Sequence, residues 1–456
     1  MRVLLVSTYD LGRQPFGLAS PAAWLRRDGV DVATIDLSRD TLKLEDLNGA
    51  TLVAFYLPMH TATRLALPVI DRIRHARPEA TLCAYGLYAP LNESLLRERG
   101  VSVVLGPEAE ADLAELARSL SASAVSPKLA GGTVGAGGAG RALPRLSFIA
   151  PDRVGLPPLA RYASLQMPDG SRRVAGATDA TRGCKHRCRH CPIVPVYDGQ
   201  FRVVPVDVVL ADVRGQVEQG AAHITFGDPD FFNGPTHARR IVEAFHREFP
   251  DVSYDVTIKV EHLLAHRTLL PVLAGTGCLF VTSAVESVDD RVLAHLEKGH
   301  TRADFIEAAR LCREAGLTLA PTFVAFTPWT TLEGYRDLLD VANQLGLAGH
   351  VAPVQWGIRL LVTWQSRLLE LPDINRVIGP FDPKTLTFPW RHADERVDAL
   401  QKQVMDLVGV RITRPRLETF DAVRTVVHSR LGSPGTFGAL LPSRATIPYL
   451  NEPWYC

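Results

Sequence analysis

Through the first 120 residues, short runs that are apolar at nearly every position alternate with stretches of helical apolar spacing. The runs cover residues 3–7, 30–35, 52–56, 80–84 and 101–105, with helical patterns at 65–76 and 108–120 among them. A strand that is apolar on both sides must be covered on both sides. The pattern therefore predicts a doubly wound parallel sheet over residues 1–120, a Rossmann-like domain of the α/β class. Sheets of that kind bind ligands at the carboxyl ends of their strands.

The pattern then lapses. Residues 121–142 are mostly Ser, Ala, Gly and Thr, which reads as a flexible linker. No strand leads into Gly131–Gly138 and no Gly-Lys-Ser/Thr closes it, so a phosphate-binding loop is disfavoured. Alternation resumes over residues 143–370, with predicted strands at 173–178, 223–226, 254–260, 279–285, 318–325 and 351–361. Helical spacing at 206–218, 238–248, 302–315 and 332–345 separates them. Six strand–helix units suit a partial (β/α)6 barrel. Residues 371–456 form a C-terminal extension with one amphipathic helix at 393–407 and a proline-rich tail.

Composition narrows the partners. Fifty basic against 49 acidic residues leave a net charge of +1, which supplies no field to draw nucleic acid or an anionic membrane. No run approaches the ~20 apolar residues of a membrane span, and the first apolar run is too short for a signal peptide. Seven cysteines, an odd and sparse number, do not suggest a disulfide framework. A cytoplasmic, reducing setting is expected.

The chemistry concentrates in Cys184-Lys-His-Arg-Cys188-Arg-His-Cys191, directly after a predicted strand and Arg182-Gly183. A zinc site usually takes four ligands in two separated pairs, and a second pair is absent here. A thioredoxin-like pair at Cys188 and Cys191 would leave Cys184 without a role. Three thiolates in one short loop suit three corners of a [4Fe–4S] cluster, leaving one iron open.

CxxxCxxC after the first barrel strand, followed by Pro192, resembles the radical S-adenosylmethionine (radical SAM) enzymes. The resemblance implies that the open iron binds S-adenosylmethionine, whose reductive cleavage yields a 5′-deoxyadenosyl radical. His190 occupies the place of the aromatic residue that touches adenine in that family. Thr225-Phe-Gly-Asp228-Pro229-Asp230-Phe231 resembles a motif contacting the cofactor's amino group, with Pro229 replacing one of its acids. That favours Asp228 over Asp230. Glu286-Ser287, with Val292-Leu293 and Leu296-Glu297-Lys298-Gly299 after it, resembles the signature of the cobalamin-associated branch. There the Glu-Ser pair contacts the ribose or methionyl end of the cofactor, although Ser287 with Asp290 would equally cap a helix.

Residues 254–261 alternate, with Asp255, Thr257, Lys259 and Glu261 on one face, expected to point into the barrel lumen. Lys259 is the candidate catalytic cation there. Arg359, on the predicted last strand, is a candidate cofactor contact of the same sort. A solvent-facing edge strand is the plain alternative for both.

By order, length and linker the N-terminal domain resembles a cobalamin-binding domain, though its first loop, Ser7-Thr-Tyr-Asp10-Leu-Gly-Arg-Gln14, has no histidine for cobalt. Cobalamin is thus a possible third cofactor. The terminal Asn451-Glu-Pro-Trp-Tyr-Cys456 resembles the tail of the CUAEP/CCAEP radical SAM family, in which selenocysteine or a second cysteine follows. Cys456 is a candidate catalytic thiol. A selenocysteine codon read as a stop after it is the accompanying hypothesis. The whole predicts an enzyme acting on a small molecule, conceivably a thiophilic arsenic or selenium compound, with flavodoxin or ferredoxin as electron donor. The competing class is a non-catalytic, cysteine-rich electron-transfer or zinc-binding βα protein.

Overall fold

The computed structural model describes residues 1–122, 146–411, 414–432 and 447–451. The linker expected at 121–142 falls almost wholly outside that set. So does Cys456.

Five parallel strands make the first sheet: β1 (Arg2–Ser7), β2 (Asp31–Asp36), β3 (Ala50–Tyr56), β4 (Thr81–Tyr85) and β5 (Val103–Val104). Their order is β2-β1-β3-β4-β5. Val3 to Val6 are all buried, because helices cover both faces. Leu18, Leu25, Leu113 and Ala117 pack on one side. On the other side lie Leu67, Ile70, Ile73 and Leu96. The strand order reverses between β1 and β3, which opens a crevice at their carboxyl ends.

The second sheet begins with an antiparallel pair, β6 (Ser164–Gln166) and β7 (Arg172–Thr178). A short hairpin of β8 (Thr181–Gly183) and β9 (Phe201–Val203) encloses the cysteine loop. Then β10 (His223–Phe226), β11 (Ser253–Thr257), β12 (Cys278–Glu286) and β13 (Thr318–Phe323) continue the sheet in parallel from β7. A last strand, β14 (Tyr449–Leu450), pairs antiparallel with β6 and so runs in the direction of β7. The order β13-β12-β11-β10-β7-β6-β14 is an open, curled half-barrel.

The sequence pattern needs two corrections here. The sixth barrel strand, expected at 351–361, reduces to one bridge between Phe326 and Arg359. Pro353 has no N–H to offer a ladder, and Pro353–Trp356 forms a 3-10 turn instead. The side chain of Gln355 takes over, accepting the Phe323 N–H at 2.9 Å on the edge of β13. The alternation at 254–261 is cut short: β11 ends at Thr257, and Lys259 caps a helix, Val260–Ala265. Val260 and Leu263, three apart, both reach the core, and that contact favours the helical period over the extended one. Asp255 and Thr257 do line the lumen.

The amphipathic helix of the extension runs Glu395–Val410, capped by Asp394, whose carboxylate accepts the Arg396 N–H. A second helix, Arg416–Arg430, occupies part of the expected proline-rich tail. Its buried stripe of Phe420, Val423 and Val427 is too narrow to stand out among charged residues. Phe420 packs at 5.2 Å from Trp356.

Buried ion pairs join the two sheets. Arg153 holds Asp212 at 2.7 Å and donates to the Gln14 side chain at 2.9 Å. Arg182, just before the cysteines, meets Glu110 of the first domain at 2.6 Å. Among the described residues, no helix is long and apolar enough to cross a membrane.

Candidate cluster and cofactor site

The cysteine loop is launched by a glycine that nothing else can replace. Gly183 has φ +77°, and a Cβ there would lie 2.4 Å from the Tyr197 ring and 2.6 Å from the Gln200 carbonyl. The chain therefore turns sharply off β8 and places Cys184, Cys188 and Cys191 beyond the carboxyl end of β7. All three are free thiols. The Cys191 N–H donates to the Cys188 carbonyl at 3.1 Å. Asn233 steadies the loop from outside, accepting the Lys185 N–H at 3.2 Å.

Burial pushes the Cys184 thiol up to about 11 and the Cys191 thiol up to about 12. Thiols so placed ionise only beside strong positive charge, which iron provides. Three thiolates in one short loop are the ligand type of an iron–sulfur cube. The three thiols fit a cluster held by three protein ligands.

Glu286 ends β12 in the left-handed region at φ +69°, a strained conformation of the kind retained at functional sites. Its Oε1 lies 3.1 Å from His190 Nε2 and 3.4 Å from Lys298 Nζ. Burial alone would raise its pKa, but Lys298 and His190 outweigh it and hold the carboxyl down at about 2. Lys298 is itself 3% exposed. One ionised carboxylate, one imidazole and one ammonium thus stand together beside the cysteines.

The other expected residues are distributed unevenly. Asp228 is buried, and its two oxygens accept from the Ala180 N–H and the Thr181 hydroxyl, bracing the loop between β7 and β8. Burial pushes its carboxyl up to about 7. Ser287 accepts the Asp289 N–H at 3.1 Å, starting the turn into helix Asp290–His295. Lys259 approaches the cluster loop from its helix cap, 2.9 Å from Glu261 and 3.2 Å from His186 Nδ1.

Arg359 is a correction. Its guanidinium lies 3.5 Å over the Trp390 ring, pairs with Asp398 at 2.7 Å and donates to the Trp390 carbonyl. The missing sixth strand turns it toward the C-terminal extension, not toward the cofactor residues.

Four residues had no assigned role in the sequence: His186, Asp230, His262 and Lys298. His186 was one ring among six basic or cysteine neighbours. Asp230 ranked below Asp228 by motif alone. His262 carries no signal in an extended reading of 254–261; the helix that Lys259 opens turns its ring toward Asp230. Lys298 was quoted as part of a signature, and its burial next to charge was the missing information.

Between the carboxyl ends of the two sheets lies a cavity of about 360 Å³, reaching from Asp10, Tyr56 and Tyr85 to Asp179, Arg182 and Gly183. Desolvation pushes the Asp10 carboxyl up to about 7, against a partial offset from Arg13. Among the described residues, no histidine lines this cavity.

Residues 179–341 match the Radical SAM superfamily. The hopanoid C-3 methylase of Methylococcus capsulatus is 23% identical over 458 residues, covering 99% of this chain and 79% of that protein. The tRNA-2-methylthio-N(6)-dimethylallyladenosine synthase of Chlorobium luteolum is 26% identical over 187 residues, 37% of this chain and 40% of that one. The Bordetella petrii synthase of the same name is 24% identical over 303 residues, 61% and 56% respectively. The chain thus spans roughly half the length of these tRNA-modifying relatives.

Among solved structures, the cobalamin-dependent S-adenosylmethionine radical enzyme OxsB, with aqua-cobalamin and S-adenosylmethionine bound, superposes with a TM-score of 0.68 at 14% identity. That match covers 94% of this chain and 72% of OxsB. The radical S-adenosylmethionine methyltransferase TsrM of Kitasatospora setae gives 0.59 at 19% identity, covering 76% and 70%. The half-barrel and its cysteine loop thus lie within the residues that match the Radical SAM superfamily, on a fold shared with cobalamin-dependent radical enzymes.

Proposed function

We propose that the protein cleaves S-adenosylmethionine reductively at a [4Fe–4S] cluster held by Cys184, Cys188 and Cys191, and alkylates a small molecule. The observation that carries this reading is the ionised Glu286, paired with His190 and Lys298 against the cysteine loop. When bound, the cluster and cofactor supply an electron and a carbon-centred radical.

The chain's own residues bind and orient. Glu286, fixed as a carboxylate, accepts hydrogen bonds from the ribose hydroxyls, with Ser287 beside it. His190 lies against adenine. Lys298 offsets thiolate charge and keeps Glu286 ionised. Asp228 holds the first strand-to-cluster turn and stands for the amino-group contact. Lys259 presents an ammonium to a cofactor or substrate carboxylate. The cavity between the sheets is the chamber for substrate and, with an alkyl-carrying cofactor, for cobalamin. Among the described residues, its wall holds no imidazole that would ligate cobalt. Alkyl transfer is supported by the methylase and methyltransferase among the similar proteins. A flavodoxin or ferredoxin is the electron donor in this reading. A thiophilic arsenic or selenium substrate rests on Cys456 and the tail sequence alone.

Anaerobic reconstitution tests it. The expected outcome is about four irons per chain, a change in the cluster's electron paramagnetic resonance on adding S-adenosylmethionine, and cleavage products with dithionite. Added hydroxocobalamin should be retained through gel filtration. Spectra unchanged by S-adenosylmethionine, with no cleavage product, refute the reading.

A further inference from the structure

His186, Asp230 and His262 come from three separate elements and bring one ligand atom each to a common point. His186 lies inside the cysteine loop, Asp230 follows β10, and His262 is on helix Val260–Ala265. The three donor atoms all lie within 4.8 Å of one another. Asp230 Oδ2 is 2.6 Å from His262 Nδ1 and 3.3 Å from His186 Nε2. Asp230 and His262 are 2% and 4% exposed.

Those distances alone would suit hydrogen bonds, but the directions do not. Asp230 Oδ2 and His262 Nδ1 are both buried without a hydrogen-bond partner of acceptable geometry. A buried carboxylate oxygen facing two imidazoles that do not donate to it is costly unless a third body satisfies all three. The other oxygen, Oδ1, accepts the Phe232 N–H at 3.1 Å, which fixes the carboxylate and leaves Oδ2 turned to the rings.

We propose that this trio is a mononuclear site for a borderline first-row divalent cation, distinct from the cluster. Two imidazoles and one carboxylate are the ligand types such cations prefer, and three protein ligands leave a position open. The Lys259–Glu261 pair flanks the site: Lys259 Nζ donates to Glu261 Oε2 at 2.9 Å and lies 3.2 Å from His186 Nδ1. The competing arrangement is a metal-free chain through the 3.2 Å contact between the two Nε2 atoms of His186 and His262. This inference is independent of the substrate reading above.

The test uses the cluster-loaded protein and zinc ions. Reconstituted protein is equilibrated with zinc, passed over chelating resin, and analysed for zinc and iron together, with zinc K-edge absorption on the same sample. One zinc per chain beside undiminished iron, with nitrogen and oxygen scatterers and no sulfur, is expected. Asp230→Asn and His262→Ala should each weaken zinc binding at least ~10-fold while iron is kept. No zinc at full iron loading, zinc with sulfur neighbours, or zinc uptake unchanged in both variants overturns the proposal. Should a variant also lose iron, the wild-type absorption spectrum decides by itself. Intact cofactor cleavage by protein that takes up no zinc at full iron loading would sink this site and leave the proposed function standing.

Discussion

The carboxyl ends of two parallel sheets face each other across one cavity, and they are furnished differently. The first sheet's end offers Tyr56, Tyr85, Arg13 and two carboxylates, Asp10 and Glu110, the latter paired with Arg182. The half-barrel end carries three thiols and, close around them, Glu286, Lys298, His190, Lys259, Asp230 and two further imidazoles. Strand ends in both sheets expose the same backbone groups, so the contrast is one of side chains. The first sheet contributes wall, shape and a few ion-paired or buried charges, while the half-barrel contributes the thiols and the imidazoles. The buried Arg182–Glu110 pair and the Arg153 hydrogen bond to Gln14 keep the two in register.

The contrast can be broken from either side. Cys188→Ala should drop iron from about four per chain to almost none and abolish cofactor cleavage, whereas Tyr56→Phe should leave the iron count unchanged; iron analysis checks both. Arg153→Met strands Asp212 as a buried, unpaired charge and should cost about 3–5 kcal/mol, read as a lowered urea midpoint. Arg359→Met removes hydrogen bonds to charged and carbonyl partners in the extension, a loss of about 1–3 kcal/mol. Its affinity for S-adenosylmethionine, measured by calorimetry, should stay within about twofold, below the ~1.4 kcal/mol of a tenfold change. A larger loss of affinity would return Arg359 to the cofactor site.

The smallest effect concerns Asp10. Its carboxyl is raised from 3.8 to about 7 by burial, so the fold favours the protonated form. The penalty for holding it begins above the unfolded value, grows until pH passes the folded value, and then levels. Asp10→Asn should therefore gain melting temperature over wild type from pH 5 to pH 8 and little beyond.

How much was legible follows from how each element is stabilised. All five strands of the first sheet appear in the sequence within a few residues, because a strand buried on both faces must be apolar at every position. Helix Arg416–Arg430 was not legible, since three buried residues suffice for it once Trp356 is in place. Lys259 and Arg359 were both assigned to strands; one caps a helix and the other meets a single bridge. In each case a core contact or a proline outweighed the local period.

By itself the sequence determined the α/β class, the two-sheet plan and the cysteine loop with its likeness to the Radical SAM superfamily. Those depend on burial patterns and on ligand spacing within one short loop, which are local properties of the chain. Tertiary structure alone decided that Glu286 meets Lys298 and His190, that Arg359 turns to Trp390, and that His186, Asp230 and His262 converge. Their partners lie up to 96 residues apart, and charges so distant along the chain interact only when the fold removes the water between them.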